Sequence, residues 1–133
     1  DGMESFFDQL RSNNIRIVLN TGYDNKTANK LMTKLNWTVG NQVDALITAD
    51  DVENGRPEPD MIQMAMTQFG IADPIHVLKA GDSEIDIIEG KNSGCGITVG
   101  VLSGAQNRKQ LEAANPDYIL QHVTELQSIL LPQ

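Results

Sequence analysis

The chain has 133 residues, the length of about one domain, and its 40% of hydrophobic residues is enough for one core, which excludes a disordered polar chain. Ten Lys and Arg residues against eighteen Asp and Glu residues give a net charge of −8. Because nucleic acids and anionic membranes attract basic surfaces, neither is expected as a partner.

Short apolar runs alternate along the chain with stretches whose apolar residues recur every three or four positions. The runs predict strands at residues 15–19, 45–49, 75–80, 97–102 and 118–120. The periodic stretches predict helices around residues 3–10, 28–35, 61–69, 85–88, 111–114 and 123–130. Strands and helices that alternate in this way are typical of a parallel sheet covered by helices on both faces. The sequence therefore predicts one α/β domain built in layers.

Capping residues stand where these helices are expected to begin and end. Asp24 can cap the helix after the first strand, and Pro59 and Gly70 bracket the third helix. Ser83, with Asp86 three residues later, resembles a capping box.

The single cysteine, Cys95, excludes an internal disulfide, and its position between two glycines indicates a small buried filler rather than a nucleophile. His76 and His122 are isolated, which argues against a His-rich zinc site. The apolar runs are far too short to span a membrane. A cytoplasmic setting is expected.

Acidic residues are concentrated in two segments, residues 44–60 and 82–89, which hold ten of the eighteen. Charge alone allows either a solvated acidic face or a divalent-cation site, because carboxylate oxygens bind hard cations. We interpret most of residues 44–60 as solvated surface around Arg56, and Asp82 and Asp86 as the side of the cluster that faces a metal.

Polar residues follow the first and second predicted strands directly, at the edge of a parallel sheet where ligands bind. Thr21 can donate a hydrogen bond and Gly22 lets the backbone approach an anion, although Thr21 could equally serve only to cap the next helix. Arg56 lies between Gly55 and Pro57, which fix where the guanidinium emerges. A planar guanidinium on a stiff loop suits phosphate recognition, and we favour this role for Arg56 over a surface ion pair.

The third predicted strand is followed by Gly81, Asp82 and, four residues after Asp82, Asp86. One carboxylate can bind a cation while the other orients a neighbour; helix capping is the alternative. A hydroxyl, a cation and a carboxylate pair at three strand ends outline a site for phosphate and Mg²⁺.

Residues 19–23 (Leu-Asn-Thr-Gly-Tyr), 55–59 (Gly-Arg-Pro-Glu-Pro) and 81–83 (Gly-Asp-Ser), with Asp86 and Gly90, together resemble the haloacid dehalogenase superfamily of hydrolases. Arg in place of the more common Lys in the second segment resembles its phosphonatase-like branch, which includes phosphonoacetaldehyde hydrolase. The resemblance extends from residue 3 to about residue 132. It implies a three-layer, Rossmann-like core with a mostly parallel sheet.

The resemblance also implies a role for each matching residue. Thr21 would bond the substrate phosphoryl group, and Gly22 would offer its backbone N–H. Arg56 would balance charge on the nucleophile and the phosphoryl oxygens. Asp82 would ligate Mg²⁺, and Asp86 would act as the second acid near the metal. In the family these groups serve an aspartyl nucleophile that forms a covalent intermediate.

The sequence departs from the family by lacking the first motif, an Asp-x-Asp segment that carries the nucleophile and a metal ligand on the central strand, and by lacking the cap. That strand would lie between the strands at 15–19 and 75–80, so two unpaired edges are expected in mid-sheet. Each buried, unsatisfied backbone group costs about 1–3 kcal/mol. We therefore expect residues 1–133 to be the C-terminal portion of the core, completed by its own N-terminal segment or by another chain.

The function expected from the resemblance is Mg²⁺-dependent hydrolysis of a small phosphate ester or phosphonate metabolite by the full-length parent, the chain alone being inactive. The first alternative is a non-catalytic phosphate-binding or regulatory module. The second is a receiver domain, which the order Thr21, Arg56, Asp82 argues against.

Overall fold

The structure, a computed structural model, describes residues 2–102, 104 and 106–131. The strands in this part are β1 (Val18–Asn20), β2 (Ala45–Ile47), β3 (Leu78–Gly81), β4 (Ile97–Val101) and β5 (Tyr118–Leu120). The α-helices are α1 (Met3–Ser12), α2 (Asn25–Leu35), α3 (Asp60–Gln68), α4 (Glu84–Asn92), α5 (Arg108–Ala113) and α6 (Gln127–Leu130). The predicted domain limits, residues 1 and 133, and residue 132, where the resemblance ends, lie outside the described residues.

Each predicted strand and helix is present, with shifts at the ends. The run at 75–80 begins as a 3₁₀ turn, Pro74–His76, and becomes a strand only at Leu78. The cause is local, because the Asp73 side chain accepts a hydrogen bond from the Ile75 N–H and Pro74 occupies the first position of the turn. The stretch at 123–130 likewise begins as a 3₁₀ turn before it continues into α6.

The predicted capping residues cap their helices. The Asp24 carboxylate accepts from the Thr27 N–H at 2.7 Å, and this backbone hydrogen bond lowers the pKa of Asp24. Ser83 and Asp86 form the capping box of α4. Gly70 has φ 69° just after α3, a conformation that glycine adopts without steric cost.

The strands form two separate parallel sheets. β1 pairs with β2, and β3, β4 and β5 pair in that order. Within the described residues no backbone pairing joins β1 to β3. The break lies where the resemblance predicted the edges left by a missing central strand.

Helices cover both faces of the larger sheet, as the alternation of side chains along β4 shows. Val99 and Val101 face a core of buried apolar residues. Members of that core from outside the sheet include Phe6, Phe7, Leu10, Met32 and Leu126. Gly100 faces the other side, where an added Cβ would lie 3.2 Å from Leu111 Cδ1 and 3.4 Å from Ile87 Cδ1. The predicted three-layer α/β fold with parallel strands is confirmed.

Four carboxylates of the acidic segment 44–60 accept backbone hydrogen bonds. Asp44, Asp50, Asp51 and Asp60 each accept a backbone N–H, respectively from Ile17, Asn25, Thr48 and Asn54. The side chain of Asp44 is only 7% exposed and pairs with Arg11 at 3.2 Å. The interpretation of this segment as solvated surface was wrong for Asp44, whereas Asp50 and Asp51 are exposed and also hold backbone groups in place.

No helix in the described part of the chain combines the length and apolar character needed to cross a bilayer.

Two isoleucines of α4 test how the fold is stabilised. Ile87 is fully buried, whereas Ile85 is 45% exposed. We expect Ile87→Ala to lower the free energy of unfolding by about 2–5 kcal/mol, because it removes packed methyl groups and leaves a cavity. Ile85→Ala, the same change on the same helix, should stay within about 0.5 kcal/mol. Urea unfolding measures both, and equal losses would contradict the layer assignment.

Candidate functional site

Thr21 follows β1 directly and presents a hydroxyl at the edge of the sheet. Its backbone N–H donates to the Ile47 carbonyl at 3.0 Å, which continues the pairing of β1 with β2 by one residue. Its Oγ1 accepts from the Tyr23 N–H at 3.1 Å. Because that contact uses a lone pair, the hydroxyl proton can still be donated to a ligand.

The guanidinium of Arg56 lies against Gly22. A Cβ added at residue 22 would lie 3.3 Å from Arg56 Nη2 and 3.4 Å from Nε. Any larger residue at position 22 would press on the guanidinium, so glycine permits this close approach. The structure thus brings Arg56 against Gly22, next to Thr21, and the role of these residues in binding phosphate stays a prediction.

Asp86 fixes the orientation of Arg56. Arg56 Nη1 and Asp86 Oδ1 are 2.6 Å apart, and the Asp86 side chain is only 6% exposed. The loop is held a second time, because Asn92 Nδ2 donates to the Pro57 carbonyl at 2.9 Å. Asp86 and Asn92 both belong to α4, so this helix positions the loop that carries the cation. A charged hydrogen bond of this length on a buried carboxylate is a strong one.

Both oxygens of Asp86 are engaged. Oδ1 contacts Arg56 and lies 3.5 Å from Lys79 Nζ. Oδ2 accepts from the N–H and the hydroxyl of Ser83, at 3.2 Å and 3.1 Å. In this arrangement Asp86 serves Arg56 and the start of α4. Its assignment as a Mg²⁺ ligand stays a prediction.

Asp82 differs from Asp86 in being exposed, with no hydrogen bond or ion pair to any described residue. Gly104 approaches it so closely that a Cβ at residue 104 would overlap the Asp82 carboxyl group. Asp82 is therefore a carboxylate available to a cation. Among the described residues, however, no group of three or more His, Cys, Asp and Glu side chains is placed to hold a metal ion. The residues fit Mg²⁺ in chemical type, and they supply only part of a coordination shell.

A ring of three polar side chains, the buried Lys79 and Glu89 and the partly buried Asn20, connects β3, α4 and β1 and was missed from the sequence. Lys79 Nζ donates to Asn20 Oδ1 at 2.7 Å, and Asn20 Nδ2 donates to Glu89 Oε2 at 2.8 Å. Lys79 Nζ and Glu89 Oε1 close the ring at 3.4 Å. Burial raises the pKa of Glu89, and the charge of Lys79 opposes that rise. The available signal was a lysine inside the apolar run 75–80.

Cys95 is partly buried, and burial raises its pKa to about 11. Very little thiolate exists at neutral pH with such a pKa, so the thiol is a poor nucleophile. This agrees with its interpretation as a filler.

The comparisons with known proteins identify the family. The model for the haloacid dehalogenase-like hydrolase family matches residues 1–100. The chain belongs to this family. Phosphonoacetaldehyde hydrolase from Latilactobacillus sakei is 34% identical over 144 residues, which cover 91% of this chain and 54% of that protein. Pyrophosphatase PpaX from Bacillus velezensis is 33% identical over 88 residues, 66% of this chain and 40% of that protein.

Solved structures give the same fold. A hydrolase from Pseudomonas syringae superposes with a TM-score of 0.84 at 26% identity, over 97% of this chain and 58% of that one. A phosphonoacetaldehyde hydrolase-like protein from Oleispira antarctica superposes with a TM-score of 0.77 at 23% identity, over 96% and 54%. The expected membership in the haloacid dehalogenase family, with relatives of the phosphonatase type, is confirmed.

The chain spans about half the length of the curated relatives it matches. For three of the phosphonoacetaldehyde hydrolases the matched part is between 39% and 57% of the relative's length. The structure described above therefore corresponds to part of each relative.

A pair of glycines tests the tight packing around Asp86. A Cβ at residue 81 would overlap the Asp86 carboxyl group, whereas a Cβ at residue 55 would have nothing within 4 Å. We expect Gly81→Ala to lower the free energy of unfolding by about 1–3 kcal/mol, because Asp86 is held on both oxygens and cannot move aside. Gly55→Ala is the control and should change it by about 0.5 kcal/mol or less. Urea midpoints compare the two, and a neutral Gly81→Ala would show that Asp86 is loosely held.

Proposed function

We propose that the whole protein containing these 133 residues is a Mg²⁺-dependent hydrolase of small phosphate esters or phosphonates. The observation that carries the proposal is the Arg56 guanidinium, which rests on Gly22, the residue after Thr21, and is held by Asp86. A fixed planar cation, a hydroxyl donor and an approachable backbone form a cradle for a phosphoryl group.

The charges around the cradle support a requirement for a divalent cation. Arg56 and Lys79 are matched by two carboxylates, Asp86 and Glu89, so this group is neutral before any ligand binds. A phosphate dianion would add negative charge next to the exposed carboxylate of Asp82. A divalent cation on Asp82 would offset it.

Asp82 is the residue proposed to hold Mg²⁺, with Asp86 next to the metal. The ion would supply charge neutralisation and polarisation of a phosphoryl oxygen. Thr21 and Arg56 would bind and orient the phosphoryl oxygens. Arg56 would also stabilise the charge that develops on them, aided by the ion pair that keeps its guanidinium in place.

The aspartyl nucleophile and the remaining metal ligands are proposed to come from outside this chain, from a further segment of the same protein or from another chain. The edges of β1 and β3 that pair with no other described strand support this proposal, since they would offer backbone groups to an added strand next to Thr21 and Asp82. The covalent aspartyl intermediate belongs to the same proposal.

The substrate class is proposed to be small phosphorylated or phosphonate metabolites in the cytoplasm. Relatives named phosphonoacetaldehyde hydrolase and pyrophosphatase support a phosphoryl or phosphonyl group as the element recognised. A non-catalytic phosphate-binding module would bind such ligands without turnover, and the activity assays that follow distinguish it.

Replacement of the proposed metal ligand tests the metal assignment. In the whole protein, Asp82→Ala should lower Mg²⁺-dependent hydrolysis of an aryl phosphate by at least about 100-fold, because the cation loses a ligand. Asp8→Ala is the matched control, since Asp8 is exposed and belongs to a surface recess with Arg16 and Asp44, near the amino ends of the strands. Unchanged turnover in Asp82→Ala would discard the metal assignment.

Replacement of the guanidinium by an amine tests the role of Arg56. Arg56→Lys keeps the charge and loses the planar donor pair, so kcat/KM for the aryl phosphate should fall by about tenfold or more. Arg16→Lys makes the same change on a side chain that is 62% exposed and should leave kcat/KM unchanged. Equal kinetics for the two variants would show that Arg56 acts only through its charge.

A further inference from the structure

The ring of Asn20, Lys79 and Glu89 joins three elements, each of which carries part of the proposed site. Asn20 is the last residue of β1 and immediately precedes Thr21. Lys79 lies on β3, which leads to Asp82, and Glu89 lies on α4, one turn after Asp86. Each member of the ring contacts the other two. The ring therefore connects β1, β3 and α4, the elements that carry Thr21, Asp82 and Asp86.

Backbone hydrogen bonds do not provide this connection. β1 and β3 belong to different sheets, and within the described residues no strand pairing fixes the spacing between their carboxyl ends. Asn20 and Lys79 both point toward α4, where Glu89 is fully buried. Side-chain contacts in the ring thus link β1 and β3 on the face that packs against α4, beside the strand that the whole protein is proposed to add between them.

The composition of the ring also exceeds what stability requires. A buried ion pair costs desolvation, and well-packed apolar residues of similar volume are often as stable. Glu89 Oε1 has no hydrogen-bond partner among the described residues, although it lies 3.4 Å from Lys79 Nζ. Lys79 Nζ is also 3.5 Å from Asp86 Oδ1, the atom that binds Arg56. The cation is therefore placed to act on the site as well as on the core.

We propose that Asn20, Lys79 and Glu89 are positioning residues, which hold the Thr21 end of β1 in register with Asp82 and with the Arg56–Asp86 pair. The proposal rests on the proposed phosphoryl-transfer function. The ring touches no substrate in this assignment. It acts through the residues it adjoins, Thr21 next to Asn20 and Asp86 next to Lys79 Nζ.

The test uses the whole protein and separates positioning from folding. Lys79→Met removes the ammonium group and keeps most of the aliphatic part of the side chain. Glu89→Gln keeps the side-chain shape and the hydrogen bond to Asn20. The double variant Lys79→Met with Glu89→Leu removes both buried charges together. Lys91→Met on the exposed end of α4 is the matched control. For each variant, kcat and KM for an aryl phosphate with Mg²⁺ and the urea midpoint are measured.

Misplaced groups reduce turnover more than ground-state binding, so kcat should fall about 10–100-fold in Lys79→Met and in the double variant. KM should change less than about threefold, and Lys91→Met should match the parent. The decisive result is the double variant, in which the urea midpoint should recover toward that of the parent while kcat stays low. Recovery of both, or kcat within threefold of the parent in Lys79→Met and the double variant, would overturn the proposal.

A parent without turnover would refute the proposed function and leave the ring to be judged on binding. Inorganic phosphate is then titrated into the parent and the double variant by calorimetry. At least tenfold weaker binding in the double variant supports the positioning role. Equal affinity, or no phosphate binding by the parent, overturns it.

Discussion

In the described part of the chain two parallel sheets meet without a strand pairing between them, and three polar side chains, two of them buried, span the junction instead. Lys79 is the central member, because it contacts β1 through Asn20 and α4 through both Glu89 and Asp86. In a medium of low polarity such contacts are strong when complete and costly when one partner is lost. The geometry of the candidate site therefore depends on this junction as well as on the strand pairings.

The position of the Arg56 loop depends on a series of contacts that leads back to the ring. The loop that carries Arg56 is held by α4, α4 is packed against β3 and β4, and β3 is linked to β1 through the ring. No member of this series is fixed by the loop itself. The loop therefore presents its guanidinium in one orientation, which is a precondition for recognising a tetrahedral anion.

Much of the fold followed from the sequence, because the spacing of apolar residues reports which face of each element is buried. The roles of Thr21, Arg56, Asp82 and Asp86 stay predictions, but the convergence of the segments that carry them was accessible, since polar residues that follow strands of a parallel sheet meet at one edge. The pairing of Arg56 with Asp86 was not, because a contact across 30 residues depends on how α4 packs. Lys79 and Glu89 escaped notice because charged residues are expected at the surface, and only tertiary structure shows them paired and buried.

Asp86 belongs to two structures at once, the first turn of α4 and the ion pair with Arg56. Unwinding of that turn would release the carboxylate from Ser83 and leave the guanidinium without its anchor. Conversely, an anion that binds the guanidinium favours the state in which the turn is wound. Helix initiation and ligand recognition are thus linked equilibria, and occupancy of the site would be visible as slower amide exchange at the start of α4.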